Sequence, residues 1–324
     1  MNPTSSPASP ASSSSFSSGW RERIAAAHER IAPFIVRTPC VTLPAGSLGS
    51  PYQLTLKLEQ LQRTGSFKPR GVFNRLAEAR IPAAGLVCAS GGNHGAALAY
   101  AAQRFGVPCE VYVPRVTSQF KRDRLIAFGA TVIEHGDVYV EALEASERRS
   151  QETGALSIHA FDHADTLAGQ GTLAKEIEEQ IGVPDAVVVA VGGGGLIGGV
   201  SGWFGDTTLV VGAEPELCPT LNSALGAGGP VAVKTGGIAA DALGCRELGR
   251  TPFRVLSGHD IVTSLVSEQD ILSAQRALWE ECRLMVEPAA AVPLAAVRSG
   301  DLQLRLGAHV CLVLCGANVA PAVF

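Results

Sequence analysis

The chain reads as an α/β protein with two open parallel-sheet α/β domains. Three observations carry this reading. Short apolar runs of strand length recur, among them 86–89, 187–191 and 310–314. Segments of helix length separate them, which is the alternation that parallel strands need for their crossovers. Glycines stand where helices should stop, as at Gly106 and Gly129. With 324 residues, the chain has room for one large domain or two modest ones with a substantial core.

Residues 1–19 are rich in Ser, Pro and Ala and carry no charge. Such a composition buries no core, so a disordered tail is expected. The absence of a basic start and an apolar stretch argues against a secretory signal. A strand is expected at 54–58. Ser66 is then expected to cap a helix with Pro69 in its first turn, running to about Arg80. Next come a strand at 86–89, a helix over 93–105 closed by Gly106, and a strand at 110–113. Ser118 is expected to cap a basic helix that stops at Gly129, before a strand at 131–134 and a charged helix over 137–153. Asp165 is expected to cap a helix reaching Ile181. Strands are expected at 187–191, 209–213, 261–266 and 310–314. The smaller domain, 81–153, is expected to be inserted into a larger one built from 20–80 and 154–324.

The formal net charge is −4, with no basic block, which argues against nucleic acid as a partner. The apolar runs are too short to span a bilayer. Eight cysteines occur without a CxxC pair, several inside strand-like runs. Free thiols in a cytoplasmic protein are the expected state. Cys311 and Cys315 would lie about 13 Å apart along one strand, too far to grip one metal.

Four segments carry chemistry. GSFKPRG, Gly65 to Gly71, sets Lys68 behind Phe67 at a helix start. Lysine is scarce here, and one hemmed in by Gly, Ser, Phe and Pro is not a solvated surface charge. Burial favours the neutral amine, which is both nucleophile and base and is what a Schiff-base lysine needs. VGGGGLIGG follows a buried strand and precedes a helix. Its run Gly192, Gly193, Gly194 and Gly195 lets backbone N–H groups converge on an anion such as phosphate. No GK[ST] follows, and the GxGxxG fit is loose. SGGNHGAA, from Ser90, lies between another strand and helix. Ser90, Gly91, Gly92 and the N–H groups of Asn93 and His94 suit a carboxylate. Asn93 offers an amide to a phenolic oxygen, and His94 is either a base or a packed helix-start residue. LCGAN, near the C-terminus, offers the weak S–H of Cys315 to a ring nitrogen. No metal is expected. His159 and His163 lack the glutamate of a zinc motif between them, and Glu214 has no second carboxylate in the segment that follows it.

In this order and spacing, SFKPRG, SGGNHG, GGGGLI and CGAN resemble the fold type II pyridoxal-phosphate enzymes. The similarity covers residues 20–324 and is strongest to the serine/threonine dehydratases, or threonine ammonia-lyases, with serine racemase as a near relative. The resemblance implies a tryptophan synthase β-like architecture with pyridoxal 5'-phosphate in the cleft between the domains. It implies Lys68 as the Schiff-base lysine, Phe67 against the pyridine ring and Asn93 at the phenolic oxygen. Gly192 to Gly195 with Leu196 would hold the phosphate, and Cys315 the pyridine nitrogen. Ser90, Gly91, Gly92 and His94 would take the substrate carboxylate. A cytoplasmic homodimer acting on a small amino acid is implied as well.

The expected reaction is β-elimination of water from L-threonine or L-serine, giving a 2-keto acid and ammonia. The racemase pattern has a serine where Gly91 stands, so racemisation is expected to be poor. Glu214 matches the glutamate of a cation site in some relatives, but Thr220 falls where a carboxylate is expected, so a tight divalent site is not expected. The alternatives are a dehydratase for 3-hydroxyaspartate, phenylserine or a hydroxyectoine-derived amino acid, a serine racemase-like or β-replacement enzyme, and a non-catalytic binding protein. The presence of Lys68 speaks against the last.

Overall fold

The computed structural model describes residues 19–320, so residues 1–18 of the expected tail lie outside the described residues. Ten strands are described: β1 Cys40–Leu43, β2 Gln53–Leu58, β3 Leu86–Ala89, β4 Cys109–Val113, β5 Thr131–Glu134, β6 Leu156–Ser157, β7 Ala186–Ala190, β8 Leu209–Pro215, β9 Ile261–Val266 and β10 His309–Leu314. They form a six-stranded sheet in the order β1-β2-β10-β7-β8-β9 and a four-stranded sheet in the order β5-β4-β3-β6. Every pairing is parallel except β1 with β2, which is the α/β architecture expected. The four-stranded sheet reaches Ser157, one short strand past the expected boundary at 153.

β7 (AVVVA) is buried at every position, as a central parallel strand must be when helices cover both faces. The largest core cluster surrounds the six-stranded sheet, and a second one packs the Asn93–Phe105 helix on the four-stranded sheet. β1 was not expected. Its burial pattern is that of an edge strand with two exposed residues, so CVTL carries no apolar run to announce it. Among the described residues, no helix is long and apolar enough to cross a membrane.

Two caps differ from expectation. Ser66 is extended at φ −160° and bridges Gly316, and its hydroxyl has no partner. Phe67 takes the cap position instead, so Lys68 opens the Lys68–Ala77 helix with Pro69 in its first turn. That helix also ends before Arg80. At the Ala164–Ile181 helix the cap is His163, whose Nδ1 accepts from the Asp165 N–H at 3.2 Å, while Asp165 sits in the first turn.

Close helix approach rests on glycine. A Cβ built on Gly169 would lie 2.4 Å from the carbonyl oxygen of Arg70, and one on Gly199 would lie 2.5 Å from the backbone nitrogen of Gly171. Both obstacles are backbone. Gly169→Ala therefore destabilises by about 1–3 kcal/mol through overpacking, although the same change in an exposed helix would be stabilising. Urea unfolding of the variant checks this.

Candidate active site

The carboxyl ends of β2, β10 and β7 are neighbours, because these strands pair in parallel side by side. β2 leads through two short 3-10 turns to Lys68, β10 runs into Cys315, and β7 runs into the Gly192–Gly195 loop. In the other sheet, β3 lies at the point where the strand order reverses, and its carboxyl end leads to Ser90–Asn93. Open α/β sheets bind their ligands at such ends.

The first and last segments are tied by backbone. The Phe67 N–H donates to the Cys315 carbonyl at 3.0 Å, and the Ala317 N–H donates to the Gly65 carbonyl at 2.9 Å. Lys68 is partly buried. Its Nζ lies 5.0 Å from the centroid of the Phe67 ring and donates one hydrogen bond, to the Ala160 carbonyl at 3.2 Å. Desolvation lowers the pKa of this amine, and the nearby Cys245, Cys315 and Glu287 oppose that shift. Burial pushes the Cys315 thiol well up, so it stays a neutral S–H. Cys245 is shifted up in the same way.

The glycine loop is narrow. A Cβ on Gly193 would sit 2.4 Å from three ring carbons of Phe161, and one on Gly192 would sit 3.1 Å from the Cα of Leu243. Gly194 has φ +87°, a conformation that costs glycine nothing, and caps the Gly195–Phe204 helix. The first N–H groups of that helix have no partner within it. The Leu196 side chain packs in the large core, and its backbone lies in the first turn of that helix.

In the third segment, Asn93 donates from Nδ2 to Glu287 Oε1 at 2.8 Å, and its Oδ1 is buried without a partner. A Cβ on Gly91 would meet Thr117 Cγ2 at 2.9 Å, whereas the nearest atom to one on Gly92 is the Asp241 carbonyl oxygen at 4.0 Å. Ser90 is partly buried, and its carbonyl lies where a side chain on Gly95 would stand, so the helix can only begin here with glycine at that position. His94 is buried, and its Nε2 donates to the Ile158 carbonyl at 2.8 Å. Burial, then the charge of Lys68, lowers its pKa to about 3. It is a packed, neutral histidine whose Nε2–H is committed to Ile158, and its lowered pKa makes it a weak base near pH 7.

The other candidates are used locally. His159 Nδ1 accepts from the N–H of Asp162 at 2.9 Å, and His163 caps its helix. Glu214 accepts the N–H groups of Leu221 and Asn222 at 2.7 and 2.9 Å, so its carboxylate crowns the Thr220–Ala227 helix. Among the described residues, no group of three or more His, Cys, Asp or Glu could hold a metal.

Residues 31–316 match the family model described as pyridoxal-phosphate dependent enzyme. The chain belongs to that family. This pyridoxal-phosphate enzyme is 36% identical to the L-threonine ammonia-lyase of Thermotoga maritima over 82% of its own length and 67% of the relative's. It is 34% identical to the beta-hydroxyaspartate dehydratase of Paracoccus denitrificans, covering 92% and 96% of the two chains. The crystal structure of a T.th. threonine deaminase superposes with a TM-score of 0.85 at 36% identity, covering 92% of this chain and 98% of that one.

The residues present fit the family's cofactor. A desolvated amine with a single hydrogen bond suits an aldehyde, and a glycine loop at a helix start suits a phosphate. Asn93 Nδ2 gives one N–H to Glu287 and keeps a second, which suits the phenolic oxygen.

Sequence reasoning missed two parts of this enzyme's site. One is the segment 159–162, weighed there only as a metal motif and rejected. It supplies the carbonyl of Ala160 to Lys68, the Phe161 ring over the glycine loop, and Asp162, which accepts the N–H groups of Arg250 and Thr251. The other is Glu287, which stands before Pro288 and reads in the sequence as an ordinary helix start.

Proposed function

We propose that the enzyme removes water from L-threonine or L-serine and releases a 2-keto acid and ammonia. The observation that carries this reading over its nearest alternative is Gly91. A group that delivers a proton opposite Lys68 has no side chain there to come from, and Thr117 fills the space beside it. Acid–base chemistry from one face suits elimination rather than racemisation.

In this reading Lys68 would hold the cofactor covalently, and its amine, when free, would take the Cα proton of the substrate. Its lowered pKa keeps a share of the amine neutral for that task. The bound cofactor withdraws electrons from Cα and so weakens the bond to that proton. Phe67 would lie against the pyridine ring, and Asn93 would donate to the phenolic oxygen. The backbone N–H groups of Gly192, Gly193, Gly194, Gly195 and Leu196 receive the phosphate. Cys315 would present a neutral S–H to the ring nitrogen, since burial pushes its thiol well up. Ser90, Gly91, Gly92 and the N–H of His94 receive the substrate carboxylate. The proton taken from Cα by Lys68 balances the β-hydroxyl, which leaves as water, and solvent water hydrolyses the released enamine to the keto acid and ammonia. A homodimer in the cytoplasm is proposed on the family resemblance.

The relative from Paracoccus denitrificans, matched over nearly its whole length, supports 3-hydroxyaspartate as a second substrate. A panel of β-hydroxy amino acids assayed for 2-keto acid release tests both readings. Threonine and serine are expected to turn over. Turnover of 3-hydroxyaspartate alone would shift the substrate, and silence on the whole panel from cofactor-loaded enzyme would sink the dehydratase reading. With L-serine, D-serine should form at no more than about a hundredth of the rate of keto acid, since a positioned proton donor contributes about 10²–10⁴-fold. Chiral chromatography of the reaction mixture checks this.

A further inference from the structure

Glu287 has no part in the chemistry described so far, yet it sits between two of the four segments. It caps the Pro288–Arg298 helix by position, but its side chain makes no capping bond. The carboxylate instead turns inward and is 4% exposed. Oε1 accepts from Asn93 Nδ2 at 2.8 Å, and Oε2 accepts from the backbone N–H of Asn318 at 3.1 Å. Its own backbone N–H donates to the Gly316 carbonyl at 3.1 Å. A Cβ on Gly316 would come within 2.6 Å of Oε1, so the glycine of CGAN is what admits the carboxylate. The chain thus brings a charged group out of water to the end of β10 and holds it there through both its side chain and its backbone. Burial raises its pKa, and the bonds from Asn318 and Asn93 offset only part of that rise.

An amide-to-backbone tie does not by itself call for a carboxylate. A carboxylate differs from Gln in being acceptor-only on both oxygens when ionised. It therefore accepts only one of the two orientations of the Asn93 amide, the one with the NH2 toward it. An amide nitrogen carries two hydrogens, so one is left over. The Oδ1 of Asn93 has no partner to hold the amide from its other side.

We propose that Glu287 is a positioning residue for the cofactor: it fixes the Asn93 amide so that the second N–H of Nδ2 is presented to the phenolic oxygen. This rests on the placement of the cofactor in the reading above. The reaction needs no proton from Glu287. Its contribution is to remove the rotational and flip freedom of the donor.

The test uses purified enzyme stripped of cofactor and retitrated with pyridoxal 5'-phosphate, read by absorbance rather than by turnover. Asn93→Ala and Glu287→Gln are each expected to weaken cofactor binding by about 10–100-fold, the scale of a hydrogen bond to a charged group. Both should change the balance of the visible and near-ultraviolet bands in the same direction at one fixed pH. The double variant should bind no more weakly than the worse single one. Multiplying effects, or a wild-type spectrum and affinity in Glu287→Gln, overturn the proposal. Asn93→Asp tests the same contact without touching Glu287. It sets a second carboxylate against the first and is expected to lose more affinity than Asn93→Ala, and an equal loss counts against the proposal. Wild-type protein that fails to take up the cofactor at all defeats the placement itself, and this inference with it.

Discussion

Lys68→Ala yields a protein that lacks the absorption band of the covalently linked pyridoxal 5'-phosphate and loses at least about a thousandfold in keto-acid release. The size follows from two roles lost together, covalent capture and proton removal, since the second alone contributes about 10²–10⁴-fold. The fold should survive. Nζ makes one hydrogen bond, to the carbonyl of Ala160, so the deletion leaves a single acceptor to rehydrate in a partly open cleft. The glycine loop is untouched, so the cofactor should still bind without the covalent link, at reduced affinity. Absorbance separates the two states.

The apo forms give a second reading of the same change. The folded pKa of Lys68 is lowered, so between that value and the unfolded value near 10.4 the unfolded chain binds more protons. Stability of the apo wild type therefore rises with pH through that window, and this part of the slope is missing in Lys68→Ala. Urea midpoints at several pH values would show it. Parallel curves for the two proteins would mean that the amine is solvated, which would remove the ground for its reactivity.

Much of this site was legible because each segment sits at the end of a strand that declares itself. β3, β5 and β9 fall where their apolar or β-branched runs place them, and the Gly106 stop of the Asn93–Phe105 helix has φ +67°. What stayed hidden depends on partners far along the chain. Ser66 is drawn from the cap position by pairing with Gly316, and Glu287 meets Asn93 across 194 positions. A Glu before a Pro reads as an ordinary helix start, and only the fold turns its side chain inward. The segment 159–163 was set aside as a metal site on local grounds, and its part beside Lys68 again depends on the fold. Two histidines four apart suggest a ligand pair, yet their ring nitrogens accept from backbone N–H groups close by in the chain.

Arg70→Leu should lower stability by about 3–5 kcal/mol, the cost of stripping one partner from a buried ion cluster. Arg70 stands two residues beyond Lys68 and is fully buried. Its Nε and Nη2 each donate to Glu59 at 2.8 Å. Its Nη1 and Nη2 donate to Glu176 at 2.8 and 2.9 Å, and Nη1 also reaches Thr172 Oγ1 at 3.1 Å. Lys57 Nζ reaches the same Glu176 at 2.7 Å. Two cations thus balance two carboxylates, and removing the guanidinium leaves a buried net negative charge. For Glu176, burial pushes the carboxyl up, but Arg70 and Lys57 overcome this and hold it below its ordinary range. A depressed carboxyl stabilises above the unfolded value near 4.3, and that stability is lost as pH falls through the folded value. In Arg70→Leu the acid limb should therefore begin at higher pH than in the wild type. Arg70→Lys separates charge from shape. It keeps the net balance but cannot serve both carboxylates with a planar fork. It should remain folded and lose about 10–100-fold in kcat, because the helix that carries Lys68 is no longer held in register, and a misplacement of about 1 Å is worth that much. If Arg70→Leu costs less than about 1 kcal/mol, the cluster is not what fixes the start of the Lys68–Ala77 helix, and the placement of the lysine must come from the backbone ties to Cys315 and Gly65 instead.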